Sequence, residues 1–169
     1  MLAGLCHTNI IVLGGSVTSG RSCLNKKSKV SKKTCAWPAR LRTILEAHNC
    51  QPTIVNAACG GCGVEIAYQR ALGYLTGRLS LPASSADDNQ TNPTGALASS
   101  LLFIISTTTN DGATQRFWNT SSFGPVQLHL ERLLRMILRH GSRAILFEDL
   151  GRERGLAEPL AEQVCFLHV

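Results

Sequence analysis

Three short polar segments each follow an apolar run, and together they hold side chains suited to acyl-transfer chemistry. Ser16 comes after NIIVLG at 9–14. The glycine-rich NAACGGCG at 56–63 follows the short stretch PTIV, and Asn110 lies in TTTNDG, after SLLFIIS at 100–106. A serine hydroxyl can attack a carbonyl, while glycine N–H groups and an asparagine amide can donate hydrogen bonds to the resulting oxyanion. The three segments therefore predict an acyl-transfer site.

The segment 15–22 has a second interpretation, because GSVTSGRS differs by one residue from the phosphate-binding pattern G-x-x-x-x-G-K-[ST]. Arg21 stands where that pattern has its lysine, and arginine does not replace a compact ammonium group. After Ser22 the sequence CLNKKSKVSKKT has no apolar stripe with which a helix could pack on a sheet. A nucleotide-binding domain using these residues remains an alternative.

The elements that must position these side chains alternate along the chain. Apolar runs predict strands at 9–14, 52–58, 100–106 and 143–149, and helical spacing of apolar residues predicts helices at 36–48, 64–75 and 125–140. This order predicts a parallel sheet with helices on both faces, in which ligands bind beyond the carboxyl ends of the strands. The loops 14–20, 57–63 and 107–112 should meet there.

The helical spacing also predicts which side chains face the core. In the first helix the apolar stripe comprises Trp37, Leu41, Ile44, Leu45 and His48. In the last helix the inward residues are Val126, Leu130, Leu133, Leu134, Ile137 and Leu138. Three arginines (132, 135 and 139) and two histidines (129 and 140) are predicted to face water, and Gly141 is predicted to end this helix.

Composition indicates a globular chain of 169 residues with a formal charge of +6. Eight of the 17 basic residues lie between 21 and 42, where there is no acidic residue. We interpret 21–35 as a solvated basic loop, with attraction of an anionic substrate or surface as the alternative, and 76–97 as a polar loop. The basic loop has no aromatic residue on which bases could stack, so no nucleic-acid partner is predicted. No apolar stretch approaches the roughly 20 residues of a membrane span.

Seven cysteines are an odd number at irregular spacing. Cys59 and Cys62 form one C-x-x-C, but no second pair follows at the spacing of a zinc site, so we interpret them as small residues of a glycine-rich turn. Cys23 and Cys35 flank the lysines and could be linked in an oxidising compartment. No metal and no organic cofactor are predicted.

Taken together, the three polar segments resemble the signature blocks of the SGNH hydrolases, also called GDSL-type esterases and lipases. IIVLGGSVTSG resembles the first block, with Ser16 as nucleophile; IVNAACGGCG resembles the second, with Gly61 as oxyanion glycine; FIISTTTNDG resembles the third, with Asn110 as oxyanion asparagine. The resemblance spans residues 8–150. It implies a three-layer α/β/α sandwich of flavodoxin-like type and a single domain over 1–169.

The chain also departs from the family pattern. Gly-Gly-Ser replaces the usual Gly-Asp-Ser, and Thr108 stands where the third block has glycine. The D-x-x-H block, which supplies the base and its orienting acid, is absent from these residues, so the domain is expected to be incomplete at its carboxyl end. His168 is the one histidine near the expected position, and Cys165 stands where the aspartate would be.

The resemblance implies hydrolysis of an ester of a small molecule or glycan. Ser16 would attack the carbonyl, and the N–H groups of Gly61 and Ser16 and the Asn110 amide would bind the oxyanion. The first alternative is a non-catalytic or truncated domain that binds a ligand or partner.

Overall fold

The computed structural model describes residues 6, 8–21, 32–81, 101–107 and 124–147. Four strands alternate with helices along these residues. In chain order the elements are β1 (Ile10–Gly14), α1 (Lys32–Cys35), α2 (Trp37–Ala47), β2 (Ile54–Asn56), α3 (Val64–Leu75), β3 (Leu102–Ser106), α4 (Gly124–Arg139) and β4 (Arg143–Leu146). The predicted strands and long helices are confirmed, with bounds that differ by a few residues.

The four strands form one parallel sheet in the order β2-β1-β3-β4. Ile10 of β1 pairs with Ile54 on one side and with Leu102 on the other. The chain leaves β1 to one neighbour and later crosses to the other, which is the strand order of a flavodoxin-like sheet. The predicted three-layer α/β/α fold is therefore confirmed, and the strands' carboxyl ends lie along one edge.

One face of the sheet is covered by α3 and α4. Alternate strand residues point to this face, because side chains of a strand alternate in direction. The fully buried Ile11, Leu13, Phe103 and Ile105 pack there against the inner stripes of both helices. The helices contribute Val64, Ala67, Ala71, Leu130, Leu133, Leu134 and Ile137. This is the larger of the two apolar clusters.

The opposite face is covered by α2. Ile10, Val12, Leu102 and Ile104 pack there with Leu45, and Trp37 and Leu41 flank them. The Trp37 ring also contacts Phe147, which follows β4, with 5.4 Å between ring centroids. This contact links the start of α2 to the end of β4, the strand farthest from β2 in the described sheet.

Three inward predictions are wrong. Ile44 is 57% exposed and Leu138 is 53% exposed, and His48 is also exposed. Each lies at the margin of its helix's apolar stripe or at the end of the helix, where a side chain points away from the sheet. The predicted exposure of Arg132, Arg135 and Arg139 is confirmed, and Gly141 ends α4 with a φ of 69°.

The two predicted loops are only partly described. In the basic segment 21–35, α1 occupies the last four residues and Cys35 is buried, so this end is not a solvated loop. Residues 76–81 of the polar segment follow α3 without regular structure and are mostly exposed, as predicted. The rest of both segments lies outside the described residues. No described helix is long and apolar enough to span a membrane.

Candidate functional site

The turn that carries Ser16 begins directly after β1. Within it Ser19 N–H donates to the Gly15 carbonyl at 3.0 Å, and Arg21 N–H donates to the Ser16 carbonyl at 2.9 Å. The Ser19 hydroxyl donates to the same Ser16 carbonyl at 2.9 Å. Ser16 is half-buried. The structure thus places this serine at the carboxyl edge of the sheet, on a turn held by its own backbone.

Gly14 allows this turn to fold back tightly over the sheet. A Cβ atom at this position would lie 2.5 Å from Thr18 Oγ1 and 2.6 Å from the Ser106 carbonyl oxygen. Those distances are too short for any side chain, so the close approach requires glycine. The neighbouring hydroxyls, Thr18 Oγ1 and Ser106 Oγ, are buried and have no hydrogen-bond partner within the described chain.

The second loop, 57–63, carries Gly61 inside a small ring closed by a disulfide between Cys59 and Cys62. Cys62 N–H donates to the Cys59 carbonyl at 3.2 Å, which makes the segment a tight turn. Gly61 has a φ of 78°, and no atom of the described residues lies within 4 Å of the position that its Cβ would take. The C-x-x-C is therefore a turn, as predicted, and it is also covalently closed.

Two hydrogen bonds join this loop region to the first one. Cys59 N–H donates to the Gly14 carbonyl at 3.0 Å, and the Asn56 amide nitrogen donates to the Thr18 carbonyl at 3.1 Å. The Asn56 side-chain oxygen accepts a bond from Ala58 N–H. Sequence reasoning did not assign Asn56 this positioning role, although a polar amide that ends an apolar strand was a signal for it.

The Arg21 guanidinium also reaches the second loop. A Cβ at Gly60 would lie 3.0 Å from Arg21 Nη1. Arg21 is the residue at the lysine position of the phosphate-binding pattern, and here its side chain lies over a neighbouring glycine.

Arg70 of α3 is bonded to the beginning of the second loop. Its guanidinium donates a hydrogen bond to the Ala57 carbonyl. Burial raises the pKa of Tyr74 on the same helix, and the positive charge of Arg70 opposes that shift. The beginning of the loop is therefore anchored to the helix that follows it.

Two backbone donors at this edge remain available. Neither the Ser16 N–H nor the Gly61 N–H donates to an acceptor within the part of the chain that the structure describes. Gly61 is exposed and Ser16 half-exposed, so both groups can reach a ligand. N–H groups that face a carbonyl oxygen are what the oxyanion needs when a serine hydroxyl attacks that carbonyl.

A shallow cleft of about 350 Å³ lies beside the Ser16 turn, between the start of α2 and the edge strand β2. Its lining residues are Ser19, Pro38, Ala39, Arg42, Ile54, Asn56 and Ala58. Arg42 crosses the cleft and donates to the Ile54 carbonyl at 2.6 Å. Ser19 is the residue of the Ser16 turn that lines this cleft.

Some of the predicted site falls outside the described residues. Asn110 and His168 are among these, so their roles stay predictions. Of the described histidines, His48 follows the end of α2, and His129 and His140 line a groove between α3 and α4. Across the same described ranges, no three His, Cys, Asp or Glu side chains form a cluster that could hold a metal ion.

The described cysteines are all disulfide-bonded. Cys6 is linked to Cys50 at the amino end of the strands, and Cys59 to Cys62 at the carboxyl end. Cys35 is also disulfide-bonded. Its predicted partner, Cys23, lies outside the described residues, so that pairing stays a prediction.

Comparison with solved structures identifies the class of fold. The chain is similar to AlinE4, described as an SGNH-hydrolase family esterase, with 19% identity and a TM-score of 0.53 over 93% of this chain and 72% of that one. Two mutants of the same esterase match with the same TM-score, at 19% and 18% identity. No family model and no curated protein matches the chain. The likeness establishes an SGNH-hydrolase-like fold.

Proposed function

We propose that this protein is a serine hydrolase that cleaves an ester of a small molecule or glycan, with Ser16 as its nucleophile. The N–H groups of Ser16 and Gly61 and the side-chain amide of Asn110 donate to the oxyanion. The proposal needs no metal and no organic cofactor. It extends the fold likeness to an activity, because AlinE4 is described as an esterase.

One observation carries the proposal. Ser16 and Gly61 lie on two loops of the same sheet edge, these loops are bonded to each other through Cys59 and Gly14, and the N–H of each residue has no acceptor among the described residues. A serine in an ordinary connecting turn would need none of these features. Donors held in place before the reaction stabilise developing negative charge without a reorganisation cost.

The chemistry follows from this arrangement. The Ser16 Oγ forms a bond with the ester carbonyl carbon, and a general base takes the hydroxyl proton. The carbonyl electrons collect on the oxygen that faces the N–H donors, and return to expel the alcohol, which receives the proton. Water then attacks the acyl-serine by the same route and releases the acid. His168 is one candidate for the base, and a residue after Val169 is the other.

Labelling with a fluorophosphonate probe tests the nucleophile. We expect the folded protein to be labelled, and Ser16→Ala to lose the label and the hydrolysis of a short-chain p-nitrophenyl ester. Ser19→Ala is the matched control, because it removes a hydroxyl of the same turn whose only described bond goes to the Ser16 carbonyl. This control should retain most of the labelling.

The two other interpretations predict different results. A folded chain that is never labelled would favour a non-catalytic domain that binds a ligand or partner. Saturable ATP binding that is lost in Arg21→Ala would favour nucleotide binding through 15–22. Labelling that persists in Ser16→Ala would assign the nucleophile to another residue.

A further inference from the structure

A groove of about 550 Å³ runs along the outer surface between α3 and α4. It is separate from the candidate nucleophile, since none of its lining residues belongs to the Ser16 turn or to the 57–63 loop. The lining residues are Glu65, Tyr68, Gln69, His129, Arg132, Arg135, Met136, Arg139 and His140. Buried Met136 and half-buried Tyr68 give it an apolar floor, and the remaining groups are polar or charged.

The groove carries positive charge that the described protein does not neutralise. Arg135 forms an ion pair with Glu131 at 2.7 Å. Arg132 and Arg139 form no ion pair and no side-chain hydrogen bond within the described residues. Glu65 is the one carboxylate among the lining residues. Two guanidinium groups, each with five N–H donors, are thus left for a ligand.

The spacing of the two arginines indicates what they could bind. They lie seven residues apart on one face of α4, which is about 10 Å along a helix axis. Arginine binds phosphate and carboxylate groups with paired hydrogen bonds, so each guanidinium suits one oxyanion group. Tyr68 and Gln69 line the groove from α3, and a hydroxyl and an amide can donate further hydrogen bonds.

His140 is held at one end of the groove. Its Nδ1 lies 2.8 Å from the Met136 carbonyl oxygen. Since a carbonyl oxygen only accepts, Nδ1 carries a proton and the ring is fixed in orientation. This contact limits the ring's motion beside Arg139.

We propose that this groove binds a multivalent oxyanion, meaning a molecule with at least two phosphate or carboxylate groups, held by Arg132 and Arg139. The site is independent of the proposed hydrolase activity. Multivalency is expected because a ligand with two anionic groups can pair one group with each arginine along the helix, whereas a monovalent anion offers a single charge to both.

Isothermal titration calorimetry with tripolyphosphate and with citrate tests the proposal, and the two arms distinguish phosphate from carboxylate ligands. We expect saturable binding in at least one arm, and much weaker binding of acetate. Arg132→Gln and Arg139→Gln should each weaken binding about tenfold, as expected for the loss of charge-assisted hydrogen bonds. Glutamine is a good helix former, so both variants should stay folded.

Arg40→Gln is the matched control. Arg40 is exposed on α2, on the opposite face of the sheet, and its loss changes the net charge by the same amount. It should change the dissociation constant less than twofold. Equal weakening by Arg40→Gln, or no saturation by either ligand, would overturn the proposal, and neither result depends on esterase activity.

Discussion

The two described loops at the carboxyl edge of the sheet are held in opposite ways. The Ser16 turn is packed against the sheet so closely that Gly14 has no room for a methyl group, and Thr18 beneath it is buried. The loop around Gly61 is exposed at its tip and has open space beside it. Its shape is set by the Cys59–Cys62 disulfide and a left-handed glycine.

This difference matches the tasks that we propose for the two loops. A nucleophile must stay at one position relative to its base, and packing on a rigid sheet provides that. An oxyanion donor must face the substrate, so its loop cannot be buried, and a short covalent ring restricts it without burial. The two loops should therefore respond differently to substitution.

The largest effect is expected from Gly14→Ala. The added methyl group would lie less than 3 Å from Thr18 and from the Ser106 carbonyl, so the backbone of the Ser16 turn or of β3 must move. Overpacking of this kind should lower the free energy of unfolding by about 3 kcal/mol. Urea unfolding measures it. A loss below about 0.5 kcal/mol would show that the turn is not packed as described.

The second effect concerns the covalent ring of the other loop. Cys59→Ala/Cys62→Ala opens a four-residue ring, and the loop-closure relation gives a stability loss of about 2 kcal/mol. The midpoint temperature of thermal unfolding should fall. The rate of ester hydrolysis should fall as well, because the Gly61 N–H loses its fixed direction. Cys6→Ala/Cys50→Ala is the control, since that disulfide lies at the amino end of the strands. If this control lowers the folded protein's activity as much, the ring has no special role.

The third effect, smaller than the first two, is the change in stability expected from Gly61→Ala. The described residues leave space for the methyl group, so the cost comes from the φ of 78° and should be about 1 kcal/mol. The rate of ester hydrolysis should fall about tenfold, because a shift toward ordinary φ turns away a donor to the oxyanion.

Gly60→Ala is the neighbouring control for that substitution. Gly60 is not among the glycines with positive φ, and its Cβ would meet only the movable Arg21 side chain. We expect Gly60→Ala to lose less than half as much stability as Gly61→Ala and to leave the rate of ester hydrolysis unchanged. Equal loss of rate in the two variants would contradict the donor role of Gly61.

Much of the fold could be predicted from periodicity. The buried strand IIVLG and the strong stripe of α4 each repeat one pattern over several residues. A single residue that departs from the pattern therefore does not change the predicted element. The errors fall at the margins of helices, as with Ile44 and Leu138, because helical spacing shows direction but not how far the neighbouring layer extends. The short α1 inside the basic segment was not predicted, because four residues are too few to show a periodic apolar stripe.

The candidate site was predictable to a smaller extent. Ser16 and Gly61 could be proposed from their position after apolar runs, and the structure places both at the sheet edge. The role of Asn56 was not predicted, because its partner Thr18 is 38 residues away in the sequence. The groove was missed as well, since it needs Tyr68 and Arg132 on adjacent helices.

The sequence by itself determined the alternation of strands and helices, and with it a parallel sheet whose carboxyl ends carry Ser16 and Gly61. These features depend on local periodicity and on residues near in sequence. Only the tertiary structure decided that the two loops are bonded to each other, that their two N–H groups have no acceptor in the described chain, and that two arginines without a described ion-pair partner share a groove with α3. Such features depend on contacts between distant segments, which form only when the helices and strands pack together.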